Sequence, residues 1–213
     1  ITSEIKRPIS CIIGGSKIST KIGLIKNLTL KLDNLIFVGG MANNILRYKG
    51  FEIGKSLKEE NCNGTIKDIF NHADLNSCEI YYPEDVSVGK EFNGFSKVKN
   101  LNELTDEDMI LDIGPKTIKN IKKIIENSKT VFWNGPAGYF ENENFSIGSS
   151  EIAKTIGIRT KGNYLYSVVG GGDTIAVINK IGGLNNFNFV STAGGAFLEY
   201  LEGKELPGIK ALN

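Results

Sequence analysis

The stretch Tyr164-Leu-Tyr-Ser-Val-Val-Gly-Gly-Gly-Asp-Thr174 decides the fold. A short apolar run rich in β-branched residues stops at a triple glycine, and a helical pattern then runs on to Ile181. That is one strand, one turn and one helix. The same unit recurs on either side of it. Thr130–Trp133 ends in Asn134-Gly-Pro-Ala-Gly138 and leads to a helix over roughly Ser149–Ile156, and Phe189–Ser191 runs into Thr192-Ala-Gly-Gly195 and a helix through Leu201. Nearer the N-terminus, Ile9–Ile13 precedes Gly14-Gly15 and a helix with Ile18, Ile22, Ile25, Leu28 and Leu32 on one face. Leu35–Val38 precedes Gly39-Gly40 and a short helix through Ile45 and Leu46, and a longer helix with Ile66, Ile69, Phe70 and Ala73 leads to strand Glu79–Tyr82. Ile110–Ile113 precedes Gly114-Pro115 and a helix through Ile118, Ile121, Ile124 and Ile125. Strands alternating with helices predict right-handed crossovers and a parallel sheet covered on both faces: a doubly wound, Rossmann-like α/β domain over residues 1–202. The segment Tyr82–Asp108 is the least regular and has room for extra strands.

In a parallel sheet every strand-to-helix loop leaves from the same edge. Six of the loops here carry glycine, at 14–15, 39–40, 114, 135–138, 170–172 and 194–195. Glycine lets a backbone approach a ligand closely, and each following helix turns free N–H groups and partial positive charge toward that edge. One such loop is explained by a tight turn alone, but six on one rim predict an anion-binding surface.

Composition narrows the function classes. The 213 residues carry 25 Lys+Arg against 24 Asp+Glu, which leaves no basic excess for nucleic acid or a membrane surface. Lys116, Lys119, Lys122 and Lys123 line one side of a helix and read as a solvated face. No run is long and apolar enough for a membrane span, and Ile1–Pro8 has no signal-peptide core. The cysteines (Cys11, Cys62 and Cys78) are odd in number and unpaired in spacing, as expected of a reducing, cytoplasmic compartment.

Two phosphate-binding fingerprints fail. Gly50-Phe-Glu-Ile-Gly54-Lys55-Ser56 has three spacers where a P-loop needs four, and no G-x-G-x-x-G follows the first strand. The lone His72 argues against triads and metal-histidine sites. The remaining rim charges each have two readings. Lys17 and Lys21, four apart at a helix start, are either two surface lysines or holders of a phosphate that offsets their cost against the helix dipole. Asp173 is either an N-cap or a ligand for Mg²⁺, which prefers one or two carboxylates plus phosphate oxygens. Glu141, after Tyr139-Phe140, is either solvated or a partner for a ribose hydroxyl.

Gly14-Gly-Ser-Lys-Ile-Ser-Thr-Lys21, Gly39-Gly-Met-Ala-Asn43, Leu111-Asp-Ile-Gly-Pro115, Trp133-Asn-Gly-Pro136, Gly170-Gly-Gly-Asp-Thr174, Ser191-Thr-Ala-Gly-Gly-Ala196 and Leu201-Glu-Gly-Lys-Glu-Leu-Pro-Gly208 occur in one order along nearly the whole chain. Together they resemble the C-terminal half of the phosphoglycerate kinase family. The resemblance implies a glycolytic, monomeric enzyme that moves a phosphoryl group between 1,3-bisphosphoglycerate and ADP, giving 3-phosphoglycerate and ATP. It makes this half the binder of Mg²⁺ and ADP or ATP, with the phosphoglycerate held on the other half. It further implies that Lys17 stabilises the phosphoryl group in flight, with Gly171, Gly194 and Gly195 facing it. Lys21 and Asn134 would touch nucleotide phosphates, Glu141 the ribose, and Asp173 the Mg²⁺. Gly15, Gly39, Gly40, Pro136, Gly171, Gly172 and Thr174 would complete the nucleotide site. Residues 203–213 resemble a closing tail that returns to the other half, and the 213 residues alone are expected to transfer nothing.

The chain departs from the family pattern at Val38 and Ala193, where glycine is common, and at Ile110, near a position where some members place glycine beside the base. Side chains there are expected to tighten the adenine or phosphoryl edge. A module that binds nucleotide without transfer is the second reading, and an NAD-dependent dehydrogenase, lacking its glycine fingerprint, the third.

Overall fold

The structure, a computed structural model, describes residues 6–19 and 22–191. In chain order the elements are β1 (Ile9–Ile13), α1 (Ile22–Thr29), β2 (Asn34–Phe37), α2 (Gly39–Tyr48), α3 (Asn63–Leu75), β3 (Glu79–Tyr81), β4 (Asp85–Gly89), β5 (Lys97–Asn100), β6 (Met109–Ile113), α4 (Pro115–Asn127), β7 (Thr130–Asn134), α5 (Ile147–Lys161), β8 (Tyr166–Gly170), α6 (Gly172–Lys180) and β9 (Phe189–Ser191). Six strands form one sheet in the order β3-β2-β1-β7-β8-β9, every pairing parallel. Numbered within that sheet alone the order is 3-2-1-4-5-6, the doubly wound arrangement, with its switch point between β1 and β7.

Strand alternation divides the core. Cys11, Ile13, Phe37 and Phe132 face α1, α2 and α3, where Ile25, Leu28, Ile45, Ile66 and Ile69 meet them. Ile12, Ile36, Val131, Trp133 and Val169 face the opposite way, onto Ile121 and Ile125 of α4, Ile152 and Ile156 of α5, and Ile178 of α6. Burying each of these large side chains contributes about 1.5–3 kcal/mol. Two apolar layers on one sheet explain why the central strands read as unbroken apolar runs.

The structure corrects the sequence reading in two places. Ile110–Ile113 was expected as a strand of the main sheet with Gly114 on its rim. Instead β6 lies in a separate antiparallel sheet, order β5-β4-β6, packed over α2 through Leu46, Ile53, Val86 and Val88. Gly114 serves a different purpose, because a Cβ there would sit 2.4 Å from the Asp85 carboxyl carbon. Second, the first helix starts later than expected. Ile18 is fully buried but precedes the helix, whose described run opens at Ile22, so Lys17 belongs to the loop. The irregular segment Tyr82–Asp108 does hold extra strands, β4 and β5. The helix expected through Leu201 and the 203–213 tail lie outside the described residues.

Candidate functional site

At the switch point the ends of β1, β2 and β7 are stitched together by backbone. Gly14 donates its N–H to the Asn134 carbonyl at 2.8 Å, Gly39 donates to Ala137 at 3.2 Å, and Met41 donates to Gly15 at 2.7 Å. Gly135 takes φ +101°, and a Cβ on it would lie 2.5 Å from the Gly14 carbonyl carbon. Only glycine fits that crossing. The Trp133 indole N–H, on a fully buried ring, donates to the Gly135 carbonyl at 2.8 Å and holds the turn from beneath. Helix α2 begins at Gly39 itself with no side-chain cap; the Ala137 and Gly15 carbonyls take the Gly39 and Met41 N–H groups instead.

A cleft opens between this knot and the small sheet. Gly15, Gly39, Gly40, Ala42 and Asn43 line it at the start of α2, Ile110–Ile113 of β6 form one wall, and Pro136–Tyr139 form another. Leu57 and Phe92 also line it. The Phe92 and Tyr139 rings lie 4.9 Å apart, tilted by 57°. The cavity volume is about 200 Å³, below the roughly 300 Å³ at which clefts begin to enclose a drug-sized ligand. It has room for a flat ring system, with anything longer left outside along the helix termini.

Of the residues expected in the site, the structure gathers Gly15, Gly39, Gly40, Pro136 and Asp173 around this cleft. Gly171 caps α6 at φ +94°, and a Cβ on it would lie 3.0 Å from the Asn134 amide nitrogen. Gly172 and Asp173 form the exposed first turn of α6, while Thr174 is fully buried. The Thr174 hydroxyl accepts the Gly135 N–H at 2.7 Å, so it ties α6 to the β7 loop from behind the rim. Glu141 is not in the cleft but in an adjoining polar depression with Asn93, Asn142 and Asn144, sharing Tyr139 with it. Lys21, Gly194, Gly195 and Ala193 lie outside the described residues. Val38, expected to tighten the adenine or phosphoryl edge, instead packs into the core beside Ile36, whereas Ile110 does line the cleft.

Lys17 is exposed on the loop after Gly15, and that loop has a dedicated anchor. The Glu59 carboxylate accepts the N–H groups of Ile18 at 2.9 Å and Ser19 at 3.1 Å, together with the Ser19 hydroxyl. The Ser19 hydroxyl above all, then the two N–H groups and the nearby Lys17 charge, hold the Glu59 carboxyl below the usual range against a smaller cost of burial.

Asp173 does not cap α6 with its side chain, which settles against the N-cap reading. Its carboxylate is exposed within the positive first turn, and the described residues contain no group of three or more His, Cys, Asp or Glu placed to hold a metal ion. A single unscreened carboxylate beside a helix N-terminus suits Mg²⁺ that arrives with phosphate oxygens and keeps its waters, and does not suit an all-protein metal cage.

Leu57, Phe92 and Asp112 are among the wall residues that went unrecognised in the sequence. Leu57 and Phe92 sit in stretches with no periodic pattern and left no signal. Asp112 did leave one, as a carboxylate in an apolar strand, now 2% exposed. Burial pushes its carboxyl up to about 7 against the smaller opposing pull of N–H donors from Gly148 and Ile113.

The comparisons with known proteins agree on one family. A model of the family described as phosphoglycerate kinase matches residues 1–204. The phosphoglycerate kinase of Novosphingobium aromaticivorans is 44% identical over 212 residues, 98% of this chain and 54% of that protein. That of Zymomonas mobilis is 46% identical over 207 residues, 96% of this chain and 52% of that protein. The solved structure of phosphoglycerate kinase from Coxiella burnetii matches with a TM-score of 0.90 at 41% identity, over 98% of this chain and 53% of that one. The chain thus spans about half the length of the curated relatives it matches. On this evidence, the chain belongs to the phosphoglycerate kinase family.

Proposed function

We propose that this chain is the nucleotide-binding half of a cytoplasmic phosphoglycerate kinase, the half that holds Mg-ADP or Mg-ATP while a phosphoryl group passes between ADP and 1,3-bisphosphoglycerate. One observation carries the reading: a largely apolar slot lies at the switch point of a 3-2-1-4-5-6 sheet, beside the start of α2 and the exposed N-terminus of α6, which no side chain caps. A base fits the slot, and its phosphates run toward Gly171, Gly172 and Asp173. Phosphoryl transfer asks a protein for position and charge rather than covalent chemistry, and this rim offers those two things.

In this reading Gly15, Gly39, Gly40 and Pro136 hold the base by close backbone approach. Asn134, Gly171 and Gly172 orient the phosphates, and Lys21 adds charge to them. Glu141 reaches the ribose from the adjoining depression. Lys17, on the loop that Glu59 anchors, stabilises the phosphoryl group as it moves, with Gly194 and Gly195 opposite. Asp173 holds Mg²⁺, which when bound neutralises charge on the phosphates. The phosphoglycerate is held by residues beyond these 213, so the chain alone transfers nothing. It closes on that partner half as a monomer.

Calorimetric titration with ADP tests the reading. ADP is expected to bind, more tightly with Mg²⁺ present, and Asp173→Ala is expected to abolish the Mg²⁺ enhancement while leaving metal-free ADP binding within about twofold. A folded chain that gives no heat with ADP, or binds NADH more tightly than ADP, overturns it.

A further inference from the structure

Asp112 lies on β6, in the cleft wall, and none of the proposed nucleotide contacts uses it. Its two carboxylate oxygens are shared between two elements. Oδ1 accepts the N–H of Ile113 at 2.9 Å, and Oδ2 accepts the N–H of Gly148, in the first turn of α5, at 2.8 Å. Helix α5 has no side-chain cap of its own, since Ser146 at its N-cap position makes none. Asp112 supplies one from another sheet, where a carboxylate is favoured by the helix dipole.

The surrounding backbone is shaped around this carboxylate. A Cβ at Gly138 would lie 2.5 Å from Oδ1, and one at Gly148 would lie 2.4 Å from it. The next residue of α5, Ser149, accepts the Ala137 N–H through its hydroxyl at 2.8 Å, and Tyr139 donates its N–H to the Leu111 carbonyl at 2.7 Å. Leu111, Asp112, Ala137 and Tyr139 all line the cleft. The Asp112 carboxylate therefore joins β6 to the start of α5, and Ser149 ties that start to the 136–139 segment.

We propose that Asp112 is a positioning residue for the nucleotide cleft: its ionised carboxylate clamps α5 to β6 and so sets the spacing of the two cleft walls formed by residues 110–113 and 136–139. The proposal rests on the nucleotide reading for what the cleft holds, but not for the clamp itself. Protonation puts a hydrogen on one of the two oxygens that now accept N–H groups, and so weakens one arm of the clamp. Asp173 of α6 lines the same cleft, in the exposed first turn of its helix, and three other charged groups on the packed elements are committed elsewhere. Asp85 of β4 accepts from Lys116 and Thr117, Glu151 of α5 pairs with Lys122 and Lys154, and Lys180 of α6 donates to the Phe140 carbonyl. Among the described residues, burial and the two N–H groups are the influences on the Asp112 carboxyl, and they leave it near neutrality.

The test uses the 213-residue chain and two readouts between pH 5.5 and 8.5. In amide NMR spectra of the ligand-free chain, Gly148 and Ile113 are expected to shift with one midpoint near 7, and Ala137 to follow with the same midpoint. Asp112→Asn is expected to abolish all three steps. Adenosine, which carries no group that titrates in this range, is expected to bind about three- to tenfold more tightly at pH 8 than at pH 6 in the parent chain. In Asp112→Asn its affinity is expected to be flat. Amides that do not titrate, amides that titrate unchanged in Asp112→Asn, or equal adenosine affinity at both pH values overturns the proposal. Should neither adenosine nor ADP bind while the three amides titrate together, the nucleotide reading falls and the clamp stands.

Discussion

A single turn, Gly135, shows how narrowly the cleft is specified. Its positive φ and its contact with Gly14 are separate obstacles to any side chain. Gly135→Ala adds strain of about 1–2 kcal/mol from the left-handed backbone and about 1–3 kcal/mol from forcing the β1 and β7 loops apart. We expect a total loss of about 2–5 kcal/mol in urea unfolding, with the slope unchanged. A loss under about 1 kcal/mol would contradict the crossing as described. At this scale the sequence was informative wherever a residue's type is forced by its own backbone. The glycines at 15, 39, 135 and 171, all at positive φ in strand-to-helix loops, stood out for that reason. It was uninformative where the role depends on a distant neighbour. Asp112 was quoted in a motif without a role, because nothing local shows that Gly148 would be brought to it. Thr174 was placed in the nucleotide site by its motif, and nothing local shows that its hydroxyl also accepts from Gly135, 39 positions away.

At the scale of elements, α4 explains why one strand was misassigned. Met109–Ile113, Gly114 and Pro115–Asn127 form a strand, a glycine and a helix, which locally is the same signal as the true rim units. What differs is the strand's partner. β6 pairs antiparallel with β4, and sequence periodicity carries no record of pairing. The glycine is there because Asp85 of β4 reaches under it to cap α4. Asp85 accepts the N–H of Lys116 at 2.9 Å and that of Thr117 at 2.8 Å, and the Thr117 hydroxyl also donates to it. Asp85→Ala leaves those buried donors without partners, at about 1–3 kcal/mol. We expect urea unfolding to record that loss, and Asp85→Asn to recover part of it by keeping one acceptor oxygen. Equal stability of the parent and Asp85→Ala chains would show that the cap contributes nothing.

For the molecule as a whole, the doubly wound topology was legible because each strand–turn–helix unit repeats and only one handed arrangement of such units buries both faces. The small antiparallel sheet was legible only as an irregular stretch, yet its strand β6 supplies one wall of the cleft. That addition turns a generic glycine rim into a slot of about 200 Å³ with an aromatic edge at Phe92 and Tyr139. Among the described residues no helix is long and apolar enough to cross a membrane. The central claim is therefore geometric: a base in the slot and phosphates at the start of α6. The measurement that tests it most directly is a crystal structure of this chain grown with Mg²⁺ and ADP. We expect the adenine between Gly39–Gly40 and Ile110–Asp112, with the diphosphate over Gly171 and Gly172 and the metal on Asp173. An empty slot at saturating ADP, or a nucleotide bound away from the ends of β1 and β7, would contradict the account.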